Sequence, residues 1–294
     1  MTKTKTFLIF IISFLTFALL GCNSLNIRLY SHLINKKAKV GIAVIKDDRI
    51  WVVGNKKKPL MSIFKYMVSL KILNKLDNEK ISLDEKIIIK EAMLDRSLYS
   101  PMLKKYKSTP FAISIRELLE YSISQSDNNA CDILIEYAGG IKEVEKYIHN
   151  IGYKNIEIFV NEKDMNQDIK KQYLNRATPE DISSLMKNVD ESNLLSSNSK
   201  YYLYSIMLKT ITGENKIKNG LPKNIVIGHK TGSSSRDSNG IKIADNDTAF
   251  IILQDGNIYY ITVMIENSSM SDAENAKLIS DISKTVYEYF ANRR

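Results

Sequence analysis

The amino-acid sequence predicts an α/β (α+β) fold in which an antiparallel sheet flanked by helices is joined to an all-helical lobe. Short β-branched stretches occur near the start of the chain, at Lys39–Ile45 and Arg49–Val53, and again in its last third. Between these regions apolar residues recur at helical spacing. The simplest assembly pairs the strands of both ends in one sheet and leaves the helical middle as a second lobe.

The strand predictions rest on apolar runs separated by turn residues. The first two runs are separated by Lys46-Asp47-Asp48, which indicates a hairpin. Asp255-Gly256 is a hairpin-turn signal between the last two runs. The runs of the last third are Ile225–Ile227, Thr248–Leu253 and Ile258–Ile265.

The helix predictions rest on capping signals and on apolar spacing. A helix is expected to begin at Ser62, and Ser114 with Glu117 forms a capping-box pattern. Thr178-Pro179 places a cap and a first-turn proline at the start of another helix. Further helical stretches are predicted at 132–138, 143–151 and 201–210. The final helix follows Ser271-x-x-Glu274, and its apolar positions are Leu278, Ile282, Val286, Tyr287 and Phe290.

These elements divide the chain into three predicted parts. Residues 1–21 are expected to be a signal peptide of the lipoprotein type. Residues 22–60 and 213–294 are expected to form the sheet lobe, and residues 61–212 the helical lobe. A ligand pocket is expected at the seam between the two lobes.

The N-terminal residues predict export from the cytoplasm. Lys3 and Lys5 precede an apolar run, Phe7–Leu20, that is shorter than the roughly 20 residues of a membrane-spanning helix. Leu-x-Gly-Cys at its end resembles a bacterial lipobox, which implies cleavage before Cys22 and lipidation of its thiol. The expected location is periplasmic, with the protein anchored to the membrane only by lipidated Cys22. Ordinary secretory cleavage is the alternative.

Composition argues against two classes of partner. The formal charge is +9, but the basic residues are scattered and no aromatic-interleaved stripe occurs, so no nucleic-acid partner is expected. His32, His149 and His229 lie far apart in the sequence and show no metal-ligand spacing. No metal site is predicted.

A Ser-x-x-Lys motif supplies the candidate nucleophile. Three copies occur, at Ser62/Lys65, Ser184/Lys187 and Ser197/Lys200. Only the first is expected where a helix starts, and residues three apart share one helix face, so Lys65 can reach Ser62. A serine hydroxyl is a poor nucleophile until a base takes its proton. Ser62 is therefore the predicted nucleophile, activated by Lys65.

Two further motifs complete the candidate site. Ser126-Asp-Asn128 offers a hydroxyl that can pass a proton to a leaving nitrogen and an amide that can bind the substrate side chain. Lys230-Thr231-Gly232 is predicted on a strand, where the ammonium and hydroxyl can hold a carboxylate and the glycine keeps the strand edge open. The backbone N–H groups of Ser62 and Ser233 are expected to form an oxyanion hole.

Together these motifs resemble the set shared by class A serine β-lactamases and penicillin-binding proteins. The resemblance to class A β-lactamases covers essentially the whole mature chain. It implies a two-lobed fold, a monomer, β-lactam antibiotics as substrates and no cofactor. Tyr99 matches the aromatic residue beside the family's cleft.

The resemblance also identifies an Ω-loop at about 157–178, which ends at Thr178-Pro179. Counting back from that end assigns Glu162 and Asn166 as the residues that hold the hydrolytic water. Whether Glu162 or Lys65 is the base for acylation stays open at this point.

The sequence departs from the family at several positions. The Arg–Asp pair that ties most Ω-loops is replaced by Val160 and Asn175, and Asp132 stands where an Asn is usual. This combination resembles a divergent subgroup that often accepts bulky cephalosporins. For the additional cation that binds the substrate carboxylate, Lys216 is the best positional match and Arg236 the second.

The predicted reaction is hydrolysis of the β-lactam amide through a Ser62 acyl-enzyme, deacylated by water that Glu162 activates. Two alternatives share some of the motifs. A D,D-peptidase has the fold and three of the motifs but lacks the Glu162 loop. A sensor module is acylated and does not turn over, and it is normally attached to a membrane-spanning signalling segment.

Overall fold

A computed structural model of the chain describes residues 24–292 and confirms the predicted α/β architecture. The predicted signal peptide and Cys22 lie outside the described residues. The strands are β1 (Lys39–Lys46), β2 (Arg49–Val53), β3 (Lys58–Pro59), β4 (Lys86–Ile89), β5 (Phe111–Ser114), β6 (Arg176–Ala177), β7 (Val226–Ser233), β8 (Lys242–Ile252) and β9 (Ile258–Ser268). The helices are α1 (Leu25–Ser31), α2 (Phe64–Glu79), α3 (Met102–Lys105), α4 (Ile115–Ser124), α5 (Asn128–Tyr137), α6 (Ile141–Asn150), α7 (Glu162–Gln167), α8 (Pro179–Glu191), α9 (Ser197–Leu208) and α10 (Asp272–Ala291).

Strands from both ends of the chain form one five-stranded antiparallel sheet, as predicted. Its spatial order is β2-β1-β9-β8-β7, so the N-terminal hairpin pairs with β9 and leaves β7 at the opposite edge. In the β7–β8 ladder Lys230 lies opposite Thr248, and Ser233 lies opposite Asp245. The edge that carries the Lys230 motif therefore has one unpaired side.

The terminal helix α10 covers one face of this sheet. Ser271 accepts the N–H of Glu274 and the Glu274 carboxylate accepts the N–H of Ser271, so the predicted capping box is confirmed. The predicted apolar positions Leu278, Ile282 and Val286 are buried in a cluster with sheet residues. Burial of each such side chain stabilises the fold by roughly 1.5–3 kcal/mol.

The expectation of an all-helical second lobe at 61–212 is wrong in detail, because the ribbon of β4 and β5 and the short strand β6 occur among its helices. β4 pairs with β5, where three consecutive isoleucines at 87–89 favour an extended backbone. β3 pairs with β6, which joins the residues just before Ser62 to the end of the Ω-loop. The lobe boundaries at residues 60 and 213 stay a prediction.

The capping box predicted at Ser114 is only half formed. The Ser114 hydroxyl accepts the N–H of Glu117 and so caps α4. The Glu117 carboxylate instead accepts hydrogen bonds from Lys105 at 2.8 Å and Tyr106 at 3.0 Å. The Glu117 carboxylate therefore has tertiary partners besides its 3.5 Å contact with the Ser114 hydroxyl.

Asn175 ties the two ends of the Ω-loop together. Its buried Oδ1 accepts the N–H groups of Phe159 at 2.8 Å and Val160 at 3.1 Å, and its Nδ2 donates to the Val160 carbonyl at 2.8 Å. Its own carbonyl accepts the N–H of Leu60, two residues before Ser62. An uncharged amide therefore binds three backbone groups of this segment without burying a charge.

Asp132 on α5 fixes the start of α7. Its two carboxylate oxygens accept the N–H groups of Glu162 at 2.9 Å and Lys163 at 3.0 Å. Burial raises the pKa of Asp132 to about 7, although these two hydrogen bonds favour its charged form. The acid thus holds the first turn of the helix that carries Glu162.

Within residues 24–292, none of the helices combines the length and apolar character that crossing a bilayer requires.

The Asn175 contacts predict a large loss of stability on truncation. Asn175→Ala removes the acceptor of the buried Val160 N–H and of the part-buried Phe159 N–H, and the donor to the Val160 carbonyl, so the free energy of unfolding should fall by roughly 2–4 kcal/mol. Chemical denaturation measures this loss, with the exposed Asn193→Ala as the matched control. A change within about 0.5 kcal/mol, the range of ordinary surface substitutions, would show that other contacts hold the loop.

Candidate active site

A cleft of about 520 Å³ brings together most of the side chains that the sequence singled out. Ser62, Ser126, Glu162 and Thr231 line its centre. The other predicted residues along its wall are Tyr99, Asn128, Asn166, Lys216 and Ser233. Lys65 and Lys230 lie buried just beneath this lining, each within hydrogen-bond distance of a lining serine. Arg236 is not among the lining residues and binds Asp272 and two backbone carbonyls.

Ser62 lies in a single 3₁₀ turn, Met61–Ile63, directly before α2. The Lys65 Nζ lies 2.7 Å from the Ser62 Oγ, as the three-residue spacing predicts. The preceding residue, Met61, has φ +46°, which is unfavourable for a side chain with a Cβ. Backbone strain of this kind is found at functional sites, where the surrounding structure fixes a reactive group.

The buried Lys65 ammonium has three acceptors. Besides Ser62 it donates to the Asn128 Oδ1 at 2.8 Å and to the Glu162 Oε1. The Ser62 Oγ also approaches the Glu162 Oε1 at 3.4 Å. A proton can therefore pass from Ser62 to Glu162 either through Lys65 or directly.

The other two Ser-x-x-Lys copies do not form this geometry. Ser184 lies inside α8. The expectation that only Ser62 stands at a helix start is wrong, because Ser197 is the first residue of α9. However, Lys200 donates to the carbonyls of Asp190 and Ser192. A buried carboxylate next to the lysine, not the helix start, distinguishes the Ser62 copy.

Ser126 lies opposite Ser62 in the cleft and contacts a second buried lysine. The Lys230 Nζ donates to the Ser126 Oγ and to the Thr231 carbonyl, both at 2.9 Å. Burial holds the pKa of Lys230 well below its usual range, and the nearby Lys65 lowers it further. Ser126 has φ +57°, a second strained position in the site.

Asp127 fixes the loop that carries Ser126. Its buried carboxylate accepts the N–H groups of Ala130 at 2.8 Å and Met102 at 2.7 Å, and the Ser100 hydroxyl at 2.9 Å. The loop geometry is therefore set by a residue that does not line the cleft, which is consistent with an Asp helix cap. The N–H of the next residue, Asn128, binds the Tyr99 carbonyl at 3.0 Å.

Gly232 allows β7 to pack against the Ser62 turn. A Cβ at this position would lie 2.4 Å from the Leu60 carbonyl oxygen and 3.2 Å from the Ile63 nitrogen. The sequence predicts that this glycine keeps the strand edge open for substrate. The structure adds a steric reason, since any larger residue would push β7 away from the nucleophile.

Two further predicted residues, Tyr99 and Asn166, line the cleft. The Asn166 Nδ2 donates to the Ser97 Oγ at 3.0 Å on the wall of the cleft. Tyr99 is about half exposed at the rim. Both residues are exposed to solvent.

Lys216 reaches the cleft but is held by Ser233 and by Asp245, which the sequence analysis did not identify. Its Nζ donates to the Asp245 carboxylate and to the Ser233 Oγ. Asp245 and Lys242 also line this end of the cleft. The signal that could have found Asp245 is a charged residue in an otherwise buried strand, but its partner depends on the β7–β8 register.

Comparison with known proteins agrees with this arrangement. A model of the Beta-lactamase enzyme family matches residues 29–290. A β-lactamase of Bacteroides uniformis is 44% identical over 264 residues, 89% of each chain. The extended-spectrum β-lactamase PER-1 of Pseudomonas aeruginosa is 32% identical over 262 residues, 88% of this chain and 85% of that one. A crystal structure of a class A β-lactamase from Bacteroides cellulosilyticus has a TM-score of 0.89 and 42% identity, covering 91% of this chain and 97% of that one. The protein therefore belongs to the class A β-lactamases and hydrolyses β-lactam antibiotics, an activity that confers resistance.

Proposed function

We propose that Ser62 is the nucleophile of this hydrolysis and that Glu162 activates the water that releases the product. The observation that carries the proposal is the contact of one buried ammonium, Lys65, with both the Ser62 hydroxyl and the Glu162 carboxylate. A hydroxyl so placed can lose its proton as it attacks.

In the acylation step the Ser62 Oγ attacks the lactam carbonyl carbon and its proton passes to Glu162, directly or through Lys65. The carbonyl oxygen becomes negative and accepts hydrogen bonds from the backbone N–H groups of Ser62 and Ser233. As the C–N bond breaks, Ser126 gives its proton to the departing nitrogen. Lys230, at 2.9 Å from the Ser126 Oγ, stabilises the charge that develops on that oxygen. The proton that Glu162 took from Ser62 then passes to Ser126, so Glu162 is a carboxylate again before deacylation. The product is an ester on Ser62.

In the deacylation step Glu162 takes a proton from a water molecule, which attacks the ester carbonyl. The C–O bond to Ser62 breaks and the serine recovers its proton. Asn166 is proposed to bind the same water, after its amide has turned from Ser97 towards Glu162. The Asp132 carboxylate accepts the N–H of Glu162, and the Asn175 side-chain oxygen accepts the N–H of Val160. These two bonds are proposed to keep the Glu162 carboxylate close to Ser62 during this step.

Substrate binding is proposed to use the polar groups around these atoms. Asn128 accepts from Lys65 through its Oδ1, so its amide nitrogen is directed to the carbonyl of the substrate side chain. Lys230 and Thr231 bind the substrate carboxylate, and Tyr99 packs against the substrate at the rim. The Lys65–Glu162 contact disfavours the D,D-peptidase, which lacks the Glu162 loop, and the sensor, which stays acylated.

We also propose an extended substrate range that includes bulky cephalosporins. Asn175 and Val160 replace the charged pair that is usual in the family, and the Asn175 bonds tie the loop differently. The relative PER-1 is named an extended-spectrum enzyme. Rates with penicillins and bulky cephalosporins measured side by side test this proposal, and a failure to turn over bulky cephalosporins would contradict it.

The mature protein is proposed to be a periplasmic monomer anchored by lipidated Cys22. The supporting observation is the Leu-x-Gly-Cys sequence that follows the apolar run. Cys22→Ser should move the enzyme from the membrane fraction to the soluble periplasmic fraction, while Cys131→Ser, a matched change at a buried thiol, should leave its location unchanged. Equal amounts of the Cys22 variant and the unaltered protein in the membrane fraction would rule out the lipid anchor.

Glu162→Gln should separate the two chemical steps. The amide cannot take a proton from water, so deacylation should slow by about 10²–10⁴-fold, the range typical of a lost general base. The acyl-enzyme should then accumulate at one equivalent, measured by intact-mass spectrometry after mixing with a penicillin. Ser62→Ala is the control and should show no covalent adduct. Normal turnover by Glu162→Gln would contradict the role of Glu162, and an adduct on the Ser62→Ala variant would contradict the role of Ser62.

A further inference from the structure

The end of the cleft beyond Ser233 contains a lysine whose hydrogen bonds are all made within the protein. The Lys216 Nζ donates to the Asp245 Oδ1 at 2.5 Å, the Ser233 Oγ at 2.9 Å and the Asn246 carbonyl at 3.2 Å. An ammonium group has three N–H donors. Each of them therefore has an acceptor before any substrate arrives, and the Lys216 charge is compensated by a carboxylate that is almost fully buried.

The Ser233 hydroxyl is committed to the same carboxylate. It donates to the Asp245 Oδ1 at 2.8 Å and accepts from Lys216. A hydroxyl has one proton to donate. Ser233 therefore presents only lone pairs from its side chain to an incoming anion, although its backbone N–H keeps its proposed role.

Lys230 differs from Lys216 in this respect. Its Nζ donates to the Ser126 Oγ and the Thr231 carbonyl, which leaves one N–H directed elsewhere. Among residues 24–292 no carboxylate lies within ion-pair distance of the Lys230 Nζ, so no acid competes with a ligand for its remaining N–H. The Thr231 hydroxyl shares a hydrogen bond with Thr212 at 2.7 Å and lies beside it in the cleft.

We propose that Asp245 is a specificity-determining residue that withholds Lys216 and the Ser233 hydroxyl from the substrate carboxylate. The substrate anion is then held by Lys230 and Thr231 alone. This inference rests on the proposed substrate-binding mode and reassigns Lys216, which the sequence predicts as a carboxylate-binding cation. Lys216 becomes the counter-ion of Asp245, and Asp245 acts on the substrate through it.

Neighbouring charges extend the effect of Asp245. The Lys242 Nζ lies 3.8 Å from the Asp245 Oδ2 and donates to Asp272 at 2.8 Å, and Arg236 also binds Asp272. The charges alternate in sign from Lys216 to Arg236. Removing the Asp245 charge leaves three cations around one acid, so the potential at this end of the cleft becomes more positive.

The test compares Asp245→Asn, Lys216→Met and the double variant in the mature enzyme. The two substrates are a penicillin with a free carboxylate and the methyl ester of the same penicillin. For the free acid, Asp245→Asn should raise kcat/KM by about threefold to tenfold, through a lower KM. This is the scale expected when one negative charge is removed near a partly solvated anion. Its kcat should stay within about twofold, and the ester should show no gain. Asp245→Glu, which keeps the charge, should restore the KM of the unaltered enzyme.

The Lys216 variants separate this account from direct binding of the substrate by Lys216. Lys216→Met alone leaves the Asp245 charge without its partner, so the KM for the free acid should rise. Adding Asp245→Asn should return it to the level of the unaltered enzyme or below. If Lys216 binds the substrate, the double variant stays as impaired as Lys216→Met.

Three results overturn the proposal. They are an unchanged or higher KM for the free acid in Asp245→Asn, an equal gain with the methyl ester, and a double variant that stays impaired. If the buried lysine variants do not fold, the Asp245→Asn result decides by itself. Absence of a Ser62 adduct in the unaltered enzyme would contradict the proposed mechanism instead, which keeps the two failures distinguishable.

Discussion

The buried Lys65 ammonium is the interaction on which the rest of the site depends. A charge with no exposed surface is tolerated only with close partners, and here they are the Ser62 hydroxyl, the Asn128 amide oxygen and the Glu162 carboxylate. These partners come from three separate parts of the chain. Correct packing of the helices α2 and α5 and of the Ω-loop is thus required to compensate one charge, and the same packing aligns the nucleophile with its base.

Three polar side chains hold the backbone around the catalytic residues in place. Asp132 holds the backbone of Glu162 and Lys163, Asp127 fixes the loop of Ser126, and Asn175 closes the Ω-loop. Two of these groups, Asp127 and Asp132, are acids whose pKa values are raised by burial. Keeping them charged therefore lowers the stability of the fold, while their hydrogen bonds position the catalytic residues. Asn175 achieves its closure without such a penalty, because an amide both donates and accepts.

Much of the fold and of the site could be predicted from sequence because the signals are local. The hairpin, the helix cap at Thr178, the capping box at Ser271 and the apolar spacing of the last helix all depend on residues a few positions apart. The same is true of the three-residue reach from Ser62 to Lys65. Glu162 was found only by resemblance, since nothing in its own neighbourhood distinguishes it from a surface glutamate.

The features that sequence analysis missed depend on long-range geometry. The pairing of β3 with β6 joins residues more than a hundred positions apart. The link between Lys216 and Asp245 requires the register of two strands and a loop that folds back onto them. Which of two lysines binds an anion is decided by the acceptors around each ammonium, and the order of residues along the chain does not contain that information.

The most direct measurement of the central claim is intact-mass spectrometry of the unaltered mature enzyme over time, after mixing with one penicillin and one cephalosporin. The account predicts a transient adduct, located on Ser62 by peptide mapping, that disappears as hydrolysed drug accumulates. A stable adduct without turnover of either drug, or an adduct on another residue, would contradict it.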